Sequence, residues 1–295
     1  MALMRALIVA VMSLSACGFT PNGLVPGDDG GGRDGDDGDG VEPTHDAAPA
    51  LDAPGPTLDA PGPALDARPV DAGGAIDAGG DPYCTGTGLV ACFRMNQASG
   101  PPIDGVTPPL GSAVGNGANY QAGCHGTALD LGAGVVVRTN EPTPSLAKLT
   151  VMAWVKLDTA PALAAGRRFW FDADNEWGLS FQGRLDGQVD VQCQVLQSGG
   201  RFPWVTATLA SATSWNHVAC SFDGNRLRLF LNGAKTEVDP SDGDIQSVSD
   251  QGVQIGRDGV DQSTGFVDGL IDDVRIYDRR VPDNDIEDAA ADACP

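Results

Sequence analysis

The stretch from Ser214 to Val238, SWNHVACSFDGNRLRLFLNGAKTEV, constrains the fold more than any other part of the chain. Val218, Cys220 and Phe222 alternate with His217, Ala219 and Ser221. Leu227, Leu229 and Leu231 then alternate with Arg226, Arg228 and Phe230. A period of two is what a sheet with one buried face requires. Asp223-Gly224 and Asn232-Gly233 supply the positive φ angles of tight hairpin turns. Three short antiparallel strands are therefore predicted here, in an all-β setting.

The chain begins differently. One cation, Arg5, precedes the apolar run Ala6–Met12, which is too short to span a bilayer and has the anatomy of a secretory signal. Leu14-Ser15-Ala16-Cys17 closes it and resembles the bacterial lipobox, in which the cysteine becomes the lipidated N-terminus. Residues 1–16 are thus expected to be a lipoprotein signal peptide and Cys17 the lipidation site. Gly18 rather than Asp follows, which by resemblance to other Gram-negative lipoproteins points to the outer membrane, with the domain facing the surface or the periplasm.

Residues 17–82 read as a tether. Residues 28–40 are almost pure Asp and Gly, and a loose heptad follows: LDAPGPT from Leu51, LDAPGPA from Leu58 and LDARPVD from Leu65. Low hydrophobicity with high charge cannot build a core. Between residues 18 and 82 there are 14 acidic residues and two Arg, more than half of the chain's net charge of −22. DxDxDG loops with a closing Glu are absent, so the Asp runs read as solvated spacer, not calcium loops. An acidic chain also lacks the phosphate-neutralising charge that nucleic-acid binding needs.

Residues 83–295 read as one β-rich domain. Strands are predicted at Gly88–Met95, Thr127–Val137, Leu149–Leu157, Arg167–Phe171, Trp177–Phe181, Gly187–Val195, Phe202–Leu209, Trp215–Phe222, Arg226–Leu231, Ala234–Val238, Gly252–Ile255 and Gly265–Tyr277, with one short helix at Asp283–Ala291. Many strands at short spacing without intervening helices mean a two-sheet sandwich or jelly roll. Cys193 is in phase with Val189 and Val191, and Cys220 lies between Val218 and Phe222, so both face the core and are paired.

The ordered phrases GLVACFRMNQASG (88–100), GTALDLGAGVVV (126–137), SLAKLTVMAWVKLD (145–158), SWNHVACSFDGNRLRLFLNG (214–233), VQIGR (253–257) and GLIDDVRIYDRRVPDNDIE (269–287) resemble laminin-G-like domains of the concanavalin A-like lectin/glucanase superfamily. The resemblance implies an antiparallel two-sheet jelly roll with its first and last strands adjacent. That adjacency implies Cys84–Cys294 and leaves Cys92 with Cys124. Trp154 and Trp215 match core positions of the family.

No catalytic signature is found. Glu141, Glu176, Glu237 and Glu287 do not form the ExDxxE strand of laminarinase-type relatives, and HExxH, GxSxG and P-loop patterns are missing. Trp170, Trp177 and Trp204, with Asp172, Asp174, Asn175 and Arg201, are the candidate ligand-binding residues, since aromatic faces stack on sugars and polar side chains bond hydroxyls. In RRFWFD, Phe169 and Phe171 are expected on one face and Trp170 on the other. Members of the family sometimes carry a structural calcium ion, and Asp272 and Asp273 are its candidate ligands. Asp272 is expected in the inward phase of Val274 and Ile276, partnered by calcium, Arg275 or backbone N–H groups. The expected role is non-catalytic surface recognition of carbohydrate or of a matrix protein, with a membrane anchor as the only other partner. A structural envelope component or a degenerate glycosidase is the alternative.

Overall fold

A computed structural model describes residues 83–292 and Cys294, apart from 107–108, 110, 116, 140–145, 175, 240–242, 247–251 and 259–264. The expected signal, lipidated cysteine and tether lie outside these residues, as does Asn175.

Fifteen strands and one helix are described: β1 Leu89–Phe93, β2 Ala113–Gly115, β3 Asn119–Ala122, β4 Thr127–Asp130, β5 Val136–Arg138, β6 Leu149–Leu157, β7 Arg168–Ala173, β8 Trp177–Gly183, β9 Val189–Val195, β10 Trp204–Thr208, β11 Asn216–Phe222, β12 Leu227–Leu231, β13 Ala234–Val238, β14 Gln254–Ile255, β15 Gly269–Tyr277, and α1 Asp283–Ala291. They form two antiparallel sheets. One runs β13-β12-β11-β6-β15-β4-β3, with β1 also on β15; the other runs β10-β9-β8-β7-β14-β5-β2. This is the expected all-β sandwich.

The core lies between the sheets. Val151, Ala153 and Val155 of β6, Val218, Cys220 and Phe222 of β11, and Val189, Val191, Cys193 and Val195 of β9 belong to one buried cluster. The hairpins of 214–238 form as the alternation requires, with Asn232 at φ 52° and Gly233 at φ 82° in the β12–β13 turn. The stretch expected as one strand, Thr127–Val137, is two. Gly132-Ala133-Gly134 makes a 3-10 turn that carries the chain from one sheet, at β4, to the other, at β5.

A smaller cluster covers the outside of the eight-stranded sheet. Ile286 and Val281 from the C-terminal segment pack on Phe230, Ala219, Met152 and Tyr277. Phe230 is thus buried although it alternates out of the core.

Cys193–Cys220 joins the two sheets across the core as expected. The other two pairs differ: they are Cys84–Cys92 and Cys124–Cys294. The first and last strands are indeed neighbours, but the chain does not end there. After β15 it enters α1, which crosses the outer face and delivers Cys294 to the β3–β4 turn at Cys124. Cys92 pairs in register with Arg275, on the outward row of β1, and Cys84 folds back over it. Peptide mapping without reduction should return these three links. Cys193→Ala with Cys220→Ala should cost about 3.5 kcal/mol of stability, from opening a loop of 27 residues.

Candidate functional site

Two polar regions stand out, one on the outside of each sheet. The first is built on β15. Its N-terminal part pairs with β4 through Leu270 and Ile271, and its C-terminal part with β1 through Val274 to Tyr277. Between them the register against β6 shifts, and Asp273 takes φ 50°. This bulge turns Asp272 to the outer side, in register with Trp154, while Val274 and Ile276 stay in the core. The inward phase expected of Asp272 fails because a bulge resets the alternation.

Both carboxylates are buried, and each accepts hydrogen bonds, although Asp273 Oδ1 has none of its own. Asp272 accepts the backbone N–H of His125 (Oδ2, 3.0 Å) and of Asp273 (Oδ1, 2.8 Å). Asp273 Oδ2 lies 2.6 Å from His125 Nδ1, and Arg94 Nε is 3.6 Å from Oδ1. Tyr83 shares a hydrogen bond with Asp273, and the guanidinium groups of Arg94 and Arg275 lie 4.5 and 4.4 Å from its ring centre. Trp154 stands between His125 and His217, edge-on to each. It therefore packs outside the inter-sheet core, and Trp215 is only half-buried.

A calcium ion needs six to eight oxygen ligands. Here the carboxylates already serve N–H donors and face an imidazole and a guanidinium. Among the described residues, no three His, Cys, Asp or Glu side chains converge as a metal site would require. The residues present do not fit the ion.

Hydrogen bonding to Asp273 holds the His125 imidazole above the ordinary histidine value. Burial, then the charge of Asp273, pushes the Asp272 carboxyl up to about 8. Burial, reinforced by Arg275, lowers His217 to about 3 and keeps it neutral.

The second region is the outer face of the seven-stranded sheet. Cross-strand register sets its rows: Asp172, Gly178, Gln194 and Trp204 in one, Ser180, Gln192 and Thr206 in the next, then Gln182, Asp190 and Thr208. Strict alternation in β9 sends Val191 and Cys193 inward and Asp190, Gln192 and Gln194 out. A cavity of about 240 Å³ lies over the last two rows, walled by Leu163, Arg167 and Arg184. The 3-10 turn Leu163–Ala165 can lie there because residue 183 is glycine; a Cβ would fall on the carbonyl oxygen of Pro161. Trp204, 60% exposed, projects two residues before Thr206 on the same face.

The expected binding residues separate. Trp170 and Trp177 are fully buried, with Trp170 stacked on Phe181 at 4.4 Å. A bulge between Phe169 and Phe171 puts Trp170 and Phe171 both in the core and turns Phe169 outward, against the simple alternation. Asp172 lies on the outer face but is buried, three strands from Trp204, about 14 Å at ~4.8 Å per strand. Asp174 stands in the β7–β8 turn, where its charge helps raise Asp258. Arg201 is exposed on the bridge to Gln197 that precedes β10. None of these residues lines the cavity, but Trp204 stands on the same strand and face as its lining residue Thr206, two residues away. The cavity residues Ser180, Gln182, Gln192 and Thr206 carried no aromatic or charged signal; the alternation of β8 and β9 was the one clue to their exposure.

Residues 131–287 match the Laminin_G_3 family, described as the concanavalin A-like lectin/glucanases superfamily. The chain belongs to that superfamily. No curated protein matches it in sequence. Among solved structures it is similar to domain 4 of AbnA, a GH43 extracellular arabinanase from Geobacillus stearothermophilus in complex with arabinotriose. The TM-score is 0.52 at 21% identity, covering 68% of this chain and 98% of that one. The binding domain of Paraclostridial Mosquitocidal Protein 1 gives 0.53 at 14% identity, covering 69% of this chain and 52% of its own. The botulinum neurotoxin serotype G binding domain gives 0.53 at 10%, covering 69% and 50%. These likenesses are of fold. Three disulfides belong to the oxidising conditions of an exported protein. Among the described residues no helix is long and apolar enough to cross a membrane.

The buried acidic pair makes stability respond to pH in a set direction. Folded Asp272 and His125 both hold a proton more tightly than their unfolded values near 3.9 and 6.5. The folded state then binds more protons than the unfolded, and stability falls as pH rises. Lowered His217 acts in the opposite sense only below about 6.5. The melting temperature should therefore fall between about pH 6.5 and 8, less so in His125→Gln, and millimolar calcium or chelator should leave it unchanged.

Proposed function

We propose that this domain is a non-catalytic recognition module which binds glycan on the outer face of its seven-stranded sheet. Exposed Trp204 beside the cavity over Ser180, Gln192 and Thr206 carries the reading. Concave sites lined by a few convergent polar groups, with an aromatic anchor at the centre of contact, are how proteins hold small polar ligands. That domain 4 of the arabinanase is seen with arabinotriose makes arabinan a natural first probe.

The same geometry argues for binding without turnover. Asp190, the carboxylate facing the cavity, accepts the Thr208 hydroxyl at 2.6 Å and an Arg184 N–H at 3.3 Å, so it is already engaged. A glycosidase needs a second carboxylate free to donate a proton. The six cysteines of the domain are all bridged.

We further propose that the chain is an outer-membrane lipoprotein, lipidated at Cys17 and holding the domain on residues 17–82. The lipobox-like LSAC and the Asp/Gly/Pro composition support this.

A protein partner is the second reading. Leu185, 92% exposed at the β8–β9 turn, and exposed Phe202 would give such a partner apolar contacts on the same face.

Affinity electrophoresis against a panel of polysaccharides decides between them. Retardation by at least one polymer is expected, and Trp204→Ala should weaken it about tenfold, ~1.4 kcal/mol, with the melting temperature unchanged. Silence across the panel would end the glycan reading.

A further inference from the structure

We infer that the groove on the seven-stranded sheet takes an uncharged glycan and rejects uronate or sulfated polymers. The inference rests on the recognition reading above and names the chemistry of its ligand.

Each charged side chain facing the cavity is hydrogen-bonded within the fold, Arg184 and Asp190 as an ion pair and Arg167 to a neutral amide. Arg184 sits in the β8–β9 turn, Nη2 3.2 Å from Asp186 and Nη1 3.3 Å from Asp190. The same oxygen, Asp190 Oδ1, also accepts the Thr208 hydroxyl. Arg167 donates from Nη1 to Gln194 Oε1 at 3.0 Å and feels the charge of Asp258. An arriving anion would have to compete with two carboxylates for Arg184. The surrounding field opposes the anion too, because residues 83–295 hold 26 acidic residues against 15 basic ones.

The uncommitted groups are neutral. The amides of Gln182 and Gln192, the hydroxyl of Thr206 and the indole N–H of Trp204 have no hydrogen-bond partner among the described residues. Each amide offers two donors and an acceptor, and a hydroxyl offers one donor and two acceptors. A sugar hydroxyl is both donor and acceptor, so this set can meet vicinal hydroxyls on both counts. A carboxylate or sulfate ester puts acceptor-only oxygens where a neutral sugar has a hydroxyl, and so offers the amide carbonyls fewer donors.

Spacing adds a limit on size. The cavity of about 240 Å³ is below the ~300–1,000 Å³ that encloses a drug-sized ligand. Trp204 lies about 7 Å along β10 from Thr206, two residues at ~3.4 Å each. One ring in the cavity and one on the indole is what the groove accommodates, with the rest of the polymer passing into solvent.

The test is binding of the full chain to arabinan, dextran and laminarin against alginate and polygalacturonate, at 50 and 500 mM NaCl. Retention by an uncharged polymer is expected, changing less than twofold with salt, with alginate and polygalacturonate unbound. Gln192→Ala should reduce that retention five- to tenfold without shifting the melting temperature. Preference for alginate or polygalacturonate, weakening steeply with salt, would overturn this inference and leave glycan recognition standing. Binding to no polymer would overturn both.

Discussion

Two buried carboxylates on one central strand are the constraint around which the eight-stranded sheet is arranged. A carboxylate taken out of water must be hydrogen-bonded, paired or neutralised. Asp272 and Asp273 are served from three separate parts of the chain. His125 comes from the β3–β4 turn, Tyr83 and Arg94 from the first strand and its approach, and Asp292 approaches His125 Nε2 at 3.6 Å from the end of α1. The disulfide Cys124–Cys294 lies beside the same histidine and holds that last approach in place. The gap between β4 and β1 on β15 is thus closed by electrostatics where no strand pairing is available. Even the glycine before Cys124 belongs to this arrangement, since a Cβ on Gly123 would sit 2.6 Å from Asp272 Oδ2.

The two outer faces solve different problems. On the eight-stranded sheet, charge is buried beneath the helix, the aromatic residues and two disulfides, and Asp273 Oδ1, both His217 ring nitrogens and Arg275 Nε are enclosed there without a hydrogen bond. On the seven-stranded sheet the rows remain open, and it is the neutral side chains that are free. Arg184 with Asp186 and Asp190 makes an ion-pair group of one cation and two carboxylates, which leaves one negative charge in excess beside the groove. Paired charges of this kind contribute little to stability at a surface; their effect here is on what can approach.

The fold was legible where alternation ran unbroken. β9 shows the period-two burial outright, β11 and β12 turn their Val, Cys, Phe and Leu rows to the core as the alternation requires, β13 forms where expected, and α1 spans Asp283–Ala291. Legibility failed at bulges. In β7 one extra residue sends Trp170 inward beside Phe171, and in β15 the turn at Asp273 sends Asp272 outward. A bulge leaves no mark that a period-two count can see, so each flipped a residue of functional interest to the wrong side. The disulfides failed for another reason. Strand adjacency was read correctly, but the path of the chain after β15 is decided by the apolar face of α1, with Ile286 buried against Phe230. The groove was hidden because its residues are Ser, Thr and Gln, types whose exposure carries no weight until the sheet shows them side by side.

A groove with one aromatic anchor and a handful of amide donors is built for weak attachment to any single ligand. On an anchored and tethered chain, as proposed, weakness is compensated by number. Each of many copies on one membrane would meet successive repeats of the same polymer at an effective concentration set by its tether. Linking converts later contacts into intramolecular ones, worth a factor of 10²–10⁴ when the spacer reaches the sites. Acidic self-repulsion would lengthen a spacer of the proposed kind. The uncharged ligand inferred for the groove would match such a spacer, because that hold would not weaken with salt while the proposed spacer's extension would. Recognition and reach are then governed by different physics and can vary independently.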